Sequence, residues 1–65
     1  SLVADAILQL PPVYQQVFLL KYAHGYHNKE IAALLDYTVA KVEKLLSRGK
    51  KQLEQLLKEA RYETE

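Results

Sequence analysis

The stretch Asn28-Lys-Glu-Ile-Ala-Ala-Leu-Leu-Asp-Tyr-Thr-Val-Ala-Lys-Val-Glu-Lys-Leu-Leu-Ser-Arg-Gly-Lys-Lys51 decides the fold. It divides into a short amphipathic helix ending near Leu35, a corner at Asp36, Tyr37 and Thr38, and a longer basic helix from Val39. Ile31, Leu34 and Leu35 recur at steps of three and four, so they share a helix face. Ala32 is small where two helices would approach closely. Asp36 stands where the chain must turn, and Asp tolerates the left-handed conformation better than most residues. Thr38 suits an N-cap, because its hydroxyl accepts a free first-turn amide. Tyr37 is expected to plug the corner, and Val42, Leu45 and Leu46 continue the buried side. The spacing predicts a helix-turn-helix, the unit that lays its second helix in the DNA major groove. The bland alternative is a helical hairpin that binds nothing.

Working outward, the N-terminal part supplies support. Leu2 to Leu10 reads as a short helix with Leu2, Val3, Ala6, Ile7 and Leu10 near one side. Pro11 and Pro12 end it, and proline suits the first turn of the next helix. That second helix is expected from Pro12 to about His24, with Val13, Val17, Leu20 and either Phe18 or Tyr14 facing inward. Gly25 fits a left-handed C-terminal cap. Either Asn28 caps the third helix, or His27 does so with Glu30 completing a capping box.

The fourth helix is expected from Val39 to about Ala60, roughly 33 Å at 1.5 Å per residue. Val39, Val42, Leu46, Gly49, Leu53, Leu56 and Ala60 alternate steps of three and four and form one seam. Lys44, Arg48 and Lys51 lie opposite, with Lys41 at their edge. Gly49 serves either close packing or a bend. Leu53, Leu56 and Leu57 either cover the first helix or serve weak self-association through the C-terminal helix. Residues 61–65 are expected to fray.

Composition narrows the class. The chain has 65 residues, no cysteine, and 49% apolar residues. This describes one small all-α domain, without disulfides or thiolate metal sites. No apolar run approaches the roughly 20 residues of a membrane span. The start at Ser1 is expected of a piece cut from a longer protein. Residues 1–37 carry two lysines against three carboxylates, a net −1, whereas residues 41–51 carry five cations against Glu43, a net +4. Positive charge is thus concentrated on the helix nominated for the groove.

The ordered set Leu10-Pro11-Pro12, Val17-Phe18-Leu19-Leu20-Lys21-Tyr22, Gly25-Tyr26, Glu30-Ile31-Ala32 and Val42 through Leu53 resembles a known family. It is similar to the C-terminal promoter-binding domain, region four, of bacterial RNA polymerase sigma factors, and nearest to their extracytoplasmic-function group. The likeness runs from about Ala4 to Leu57. It implies a cytoplasmic, four-helix, helix-turn-helix domain that recognises the upstream (−35) element of double-stranded promoter DNA. It also implies docking on the β flap of the RNA polymerase core, and an anti-sigma factor as a further partner. Carried over by position, Thr38, Ala40 and Lys41 begin the recognition helix, while Lys44, Arg48 and Lys51 contact bases or phosphates. Ser47, Glu43, Asn28 and Lys29 complete the expected DNA-binding set. This chain departs from the family pattern at His27, Asp36, Ala40, Glu43 and Leu45.

The chemistry of single residues agrees with a binding module. Each phosphate neutralised adds about 0.9 to the salt slope of DNA binding. Arg48 or a lysine can reach a guanine edge. Glu43 either pairs with a neighbouring lysine, the favoured reading, or accepts from a cytosine amino group. His24 and His27 have metal-like spacing, but no cysteine or nearby carboxylate completes a site, so neither metal nor cofactor is expected. Tyr22 and Tyr26 are expected to be half-exposed, available to a protein partner. No nucleophile with a base, no phosphate loop and no paired carboxylates suggest catalysis, so an enzyme is not expected.

Overall fold

The computed structural model describes the backbone of residues 1–64 and the side chains of residues 1–61. Four α-helices follow in order: α1, Leu2–Gln9; α2, Pro12–Phe18; α3, Asn28–Leu35; and α4, Val39–Thr64. A π-helical turn, Leu19–Ala23, continues α2 toward the link. Among the described residues there is no strand.

Each boundary has a local cause. Ser1 Oγ accepts the Ala4 N–H at 3.2 Å and caps α1. Leu10 is forced into extended backbone, ψ 149°, by the proline that follows. Pro12 lies in the first turn of α2, where a missing N–H is harmless. The link after the π turn reverses at Gly25, φ +75°, the left-handed value expected of that glycine. The π turn itself was not expected. It holds the His24 N–H on Leu19 O at 3.1 Å, five residues back, so the chain is one residue slack per turn there. Tyr26 N–H then closes the link on Leu20 O at 3.0 Å.

Of the two caps open for α3, His27 takes the role, and Glu30 Oε1 accepts the His27 N–H at 2.9 Å. Asn28 is instead bonded sideways, its Oδ1 accepting from Lys21 Nζ at 2.7 Å. The corner forms as read. Asp36 adopts φ 57°, ψ 43°, and the N–H groups of Asp36 and Tyr37 both donate to Ala32 O, the second at 2.9 Å. Thr38 Oγ1 accepts the Lys41 N–H at 3.1 Å and starts α4.

The core sits where α2, α3 and α4 meet. Val17, Ile31 and Val42 are fully buried, and Leu10, Phe18 and Ala32 close around them. Of the two roles open to Gly49, close packing is the one observed. A Cβ placed there would overlap the Phe18 ring and lie 3.3 Å from Tyr14 Cβ. Leu53 and Leu56 pack against the same core, so the end of the seam is used within the chain.

Several expectations are corrected. Leu34 is 58% exposed rather than facing inward: Ile31, Ala32 and Leu35 form the packed side of α3, and at about 100° per residue Leu34 points roughly 110° away from its centre. Leu2 and Val3 are about half exposed, because α1 meets α2 and α4 through Ala6, Ile7 and Leu10. Val13 and Val39 are exposed at the starts of their helices. The fourth helix continues through Thr64, past the expected end near Ala60. Its long axis helps set the molecule's 42 Å length against widths of 19 and 15 Å. Residues 61–64, expected to fray, continue α4 as helix, and residue 65 lies outside the described residues.

Candidate nucleic-acid interface

The exposed side of α4 is built by its period. At about 100° per residue, Ala40, Lys44, Ser47, Arg48 and Lys51 all fall within about 60° of the direction opposite Val42. Val42 is fully buried and all five are exposed, so helix geometry and burial agree. Lys41 and Glu43 flank this face on opposite edges. Ala40, Lys41, Lys44, Leu45 and Arg48 line an open hollow on the helix. Two apolar side chains and three cations thus line it. Among the described residues, no side-chain hydrogen bond engages Lys44, Arg48 or Lys51.

Lys41 differs from them. Its Nζ sits 3.9 Å from the centroid of the Tyr37 ring. Tyr37 is half-buried and packs on the core as expected, but its second role beneath a cation was not read from the sequence. Helical spacing offered no signal for it, because Tyr37 lies in the corner before α4 begins.

The favoured pairing of Glu43 with a neighbouring lysine does not form among the described residues. The reason is helical geometry. Lys41 and Lys44 are two residues before and one after Glu43, positions that face elsewhere, while the positions three and four away hold Val39, Ala40, Leu46 and Ser47. Glu43 is exposed at the edge of the basic face.

Asn28 and Lys29 lie on a different element, at the start of α3. Lys29 is exposed, whereas Asn28 is half-buried with its carbonyl oxygen occupied by Lys21. Lys21 was missed because it is seven residues from Asn28 across a chain reversal, a contact with no signature in linear spacing. His24 stacks on Tyr26 at 6.2 Å between ring centroids, and Phe18 stacks on Tyr22 at 5.5 Å. Tyr22, at 65%, is well exposed. Among the described residues, no group of three or more His, Asp or Glu side chains is placed to hold a metal ion. Among the described residues, no helix is long and apolar enough to cross a membrane.

A comparison with protein families matches residues 1–53 to sigma-70, region 4. Comparisons with curated proteins and with solved structures find no match. The family match takes in α1, α2, the π turn, α3, the corner and the part of α4 that carries the basic face. The chain therefore belongs to the sigma-70 region 4 family, the helix-turn-helix DNA-binding domains of sigma factors that associate with RNA polymerase in transcription.

Proposed function

We propose that this chain, as a single domain, reads the upstream (−35) promoter element with the exposed face of α4. Lys44, Arg48 and Lys51 meet phosphates or a guanine edge. Thr38, Ala40, Lys41 and Ser47 approach the duplex from the leading turns, and Lys29 adds a contact from α3. The observation that carries this reading is the separation on one helix of a fully buried Val42 from exposed cations whose side chains make no hydrogen bond among the described residues. Phosphates also favour the positive end of α4, whose first turn contains no acidic residue to compete. Glu43 opposes phosphate at one edge and is suited to a cytosine amino group. Asn28, tied to Lys21, serves by fixing the start of α3.

The likeness in Leu-Pro-Pro and the residues that follow supports an extracytoplasmic-function sigma factor working in the cytoplasm, with the β flap as its docking point on polymerase. An anti-sigma protein fits the same proposal. One observation favours protein contact beside DNA binding: Leu19, Tyr22 and Leu34, none of them on α4, expose apolar surface. Self-association through the end of α4 has less support, since Leu53 and Leu56 already pack on the core.

The test is selection of duplexes from a randomised pool by the chain at low salt, followed by binding of the selected duplex to wild type and Arg48→Ala. A preferred sequence is expected, with Arg48→Ala weakening its binding about 5- to 150-fold if a guanine contact is lost. Failure to retain any duplex at low salt would remove the DNA reading.

A further inference from the structure

We propose that Tyr37 is a positioning residue for DNA binding, its ring holding the Lys41 ammonium at the leading end of the recognition helix. This rests on the reading of α4 as the DNA-facing helix.

Lys41 is in the first turn of α4, and its own amide is taken by Thr38 Oγ1 at 3.1 Å. Side chains on a helix lean toward the N-terminus, which carries the Lys41 chain back over the corner. There its Nζ meets the face of Tyr37 at 3.9 Å from the ring centroid. A cation in a first turn faces the positive end of the helix dipole, an unfavourable placement. The negative face of an aromatic ring offsets that repulsion. The ring is itself fixed, because Tyr37 is half-buried, packs on the core, and has its N–H bonded to Ala32 O at 2.9 Å.

The arrangement settles a flexible cation without neutralising it. An ion pair with a carboxylate would cancel the charge that a phosphate seeks, whereas a ring leaves it whole. Lys41 also lines the hollow formed with Ala40, Lys44, Leu45 and Arg48. It is therefore presented beside the cations proposed to meet the duplex. Less side-chain freedom remains to be lost when a phosphate binds.

The experiment uses a duplex selected by the wild-type chain and the variants Tyr37→Phe, Tyr37→Leu, Lys41→Gln and Tyr37→Leu/Lys41→Gln. Tyr37→Phe keeps the ring face and is expected to bind like wild type. Tyr37→Leu keeps apolar bulk but loses the ring, and binding should weaken about two- to tenfold as Lys41 regains freedom that binding must remove. That loss should vanish in the Lys41→Gln background, which a purely structural role for Tyr37 would not produce. In the unbound chain, ring current from Tyr37 should move the Lys41 ε-methylene proton resonances upfield. The wild-type spectrum tests this even where a variant fails to fold.

Absence of the upfield shift would overturn the proposal. So would an equal loss from Tyr37→Leu with and without Lys41, or unweakened binding by folded Tyr37→Leu. If wild type retains no duplex, the DNA reading itself fails and this inference with it. If wild type binds while the double variant shows additive losses, only the role of Tyr37 fails.

Discussion

At Asp36 the backbone takes φ 57° and ψ 43°, a conformation that an L side chain adopts at a cost of about 1–2 kcal/mol, less for Asp than for most. Asp36→Gly removes that cost, but it frees the unfolded chain by about 0.4–1 kcal/mol. The net expectation is a gain near 0.5 kcal/mol, raising Tm by about 2–4 °C. Thermal unfolding followed by circular dichroism checks this; a lower Tm would mean that the carboxylate stabilises the corner in its own right. At this scale much was legible in the sequence. Asp36, Thr38 and Gly25 each have a short-range chemical reason for their conformation, and each adopts it. Glu43 shows the opposite case. Its pairing with lysine was inferred from neighbourhood in the sequence, but helical spacing puts its near neighbours on other faces.

The elements follow from periodicity where an element is long, and less well where it is short. In α4 the alternating seam correctly located the inward side through Val42, Gly49, Leu53 and Leu56, and so located the outward cations. In α3, eight residues form too short a rod for a pattern to show which flank is covered, and Leu34 proved exposed. The π turn at Leu19–Ala23 had no readable signal, because it depends on how α2 meets the link rather than on residue type. Gly49 illustrates how one element constrains another. Alanine there would recover about 1 kcal/mol of helix propensity. Its Cβ would overlap Phe18, a ring only 4% exposed with little room to move, at an overpacking cost of about 1–3 kcal/mol. Gly49→Ala is expected to lower stability by about 1 kcal/mol and Tm by about 4–8 °C. An unchanged or higher Tm would show that α2 yields easily to α4.

For the whole molecule, a small core and a long basic rod have separate tasks. Val17, Ile31 and Val42 join three helices at one buried point, and this fixes the corner and hence the direction of α4. The rod presents Lys44, Arg48 and Lys51 on the side away from that point. The architecture was legible in the ordered set of apolar residues and breakers, and the family match over residues 1–53 agrees with it. Contacts across the chain reversal, Lys21 to Asn28 above all, were not, since they exist only after the helices have packed. The most direct measurement is the salt dependence of binding to a selected duplex, for wild type and for Lys44→Gln/Arg48→Gln/Lys51→Gln. If these three cations meet three phosphates, the slope of log K against log salt should become shallower by about 2.7. An unchanged slope in a variant with native helicity would contradict the assignment of this face to DNA.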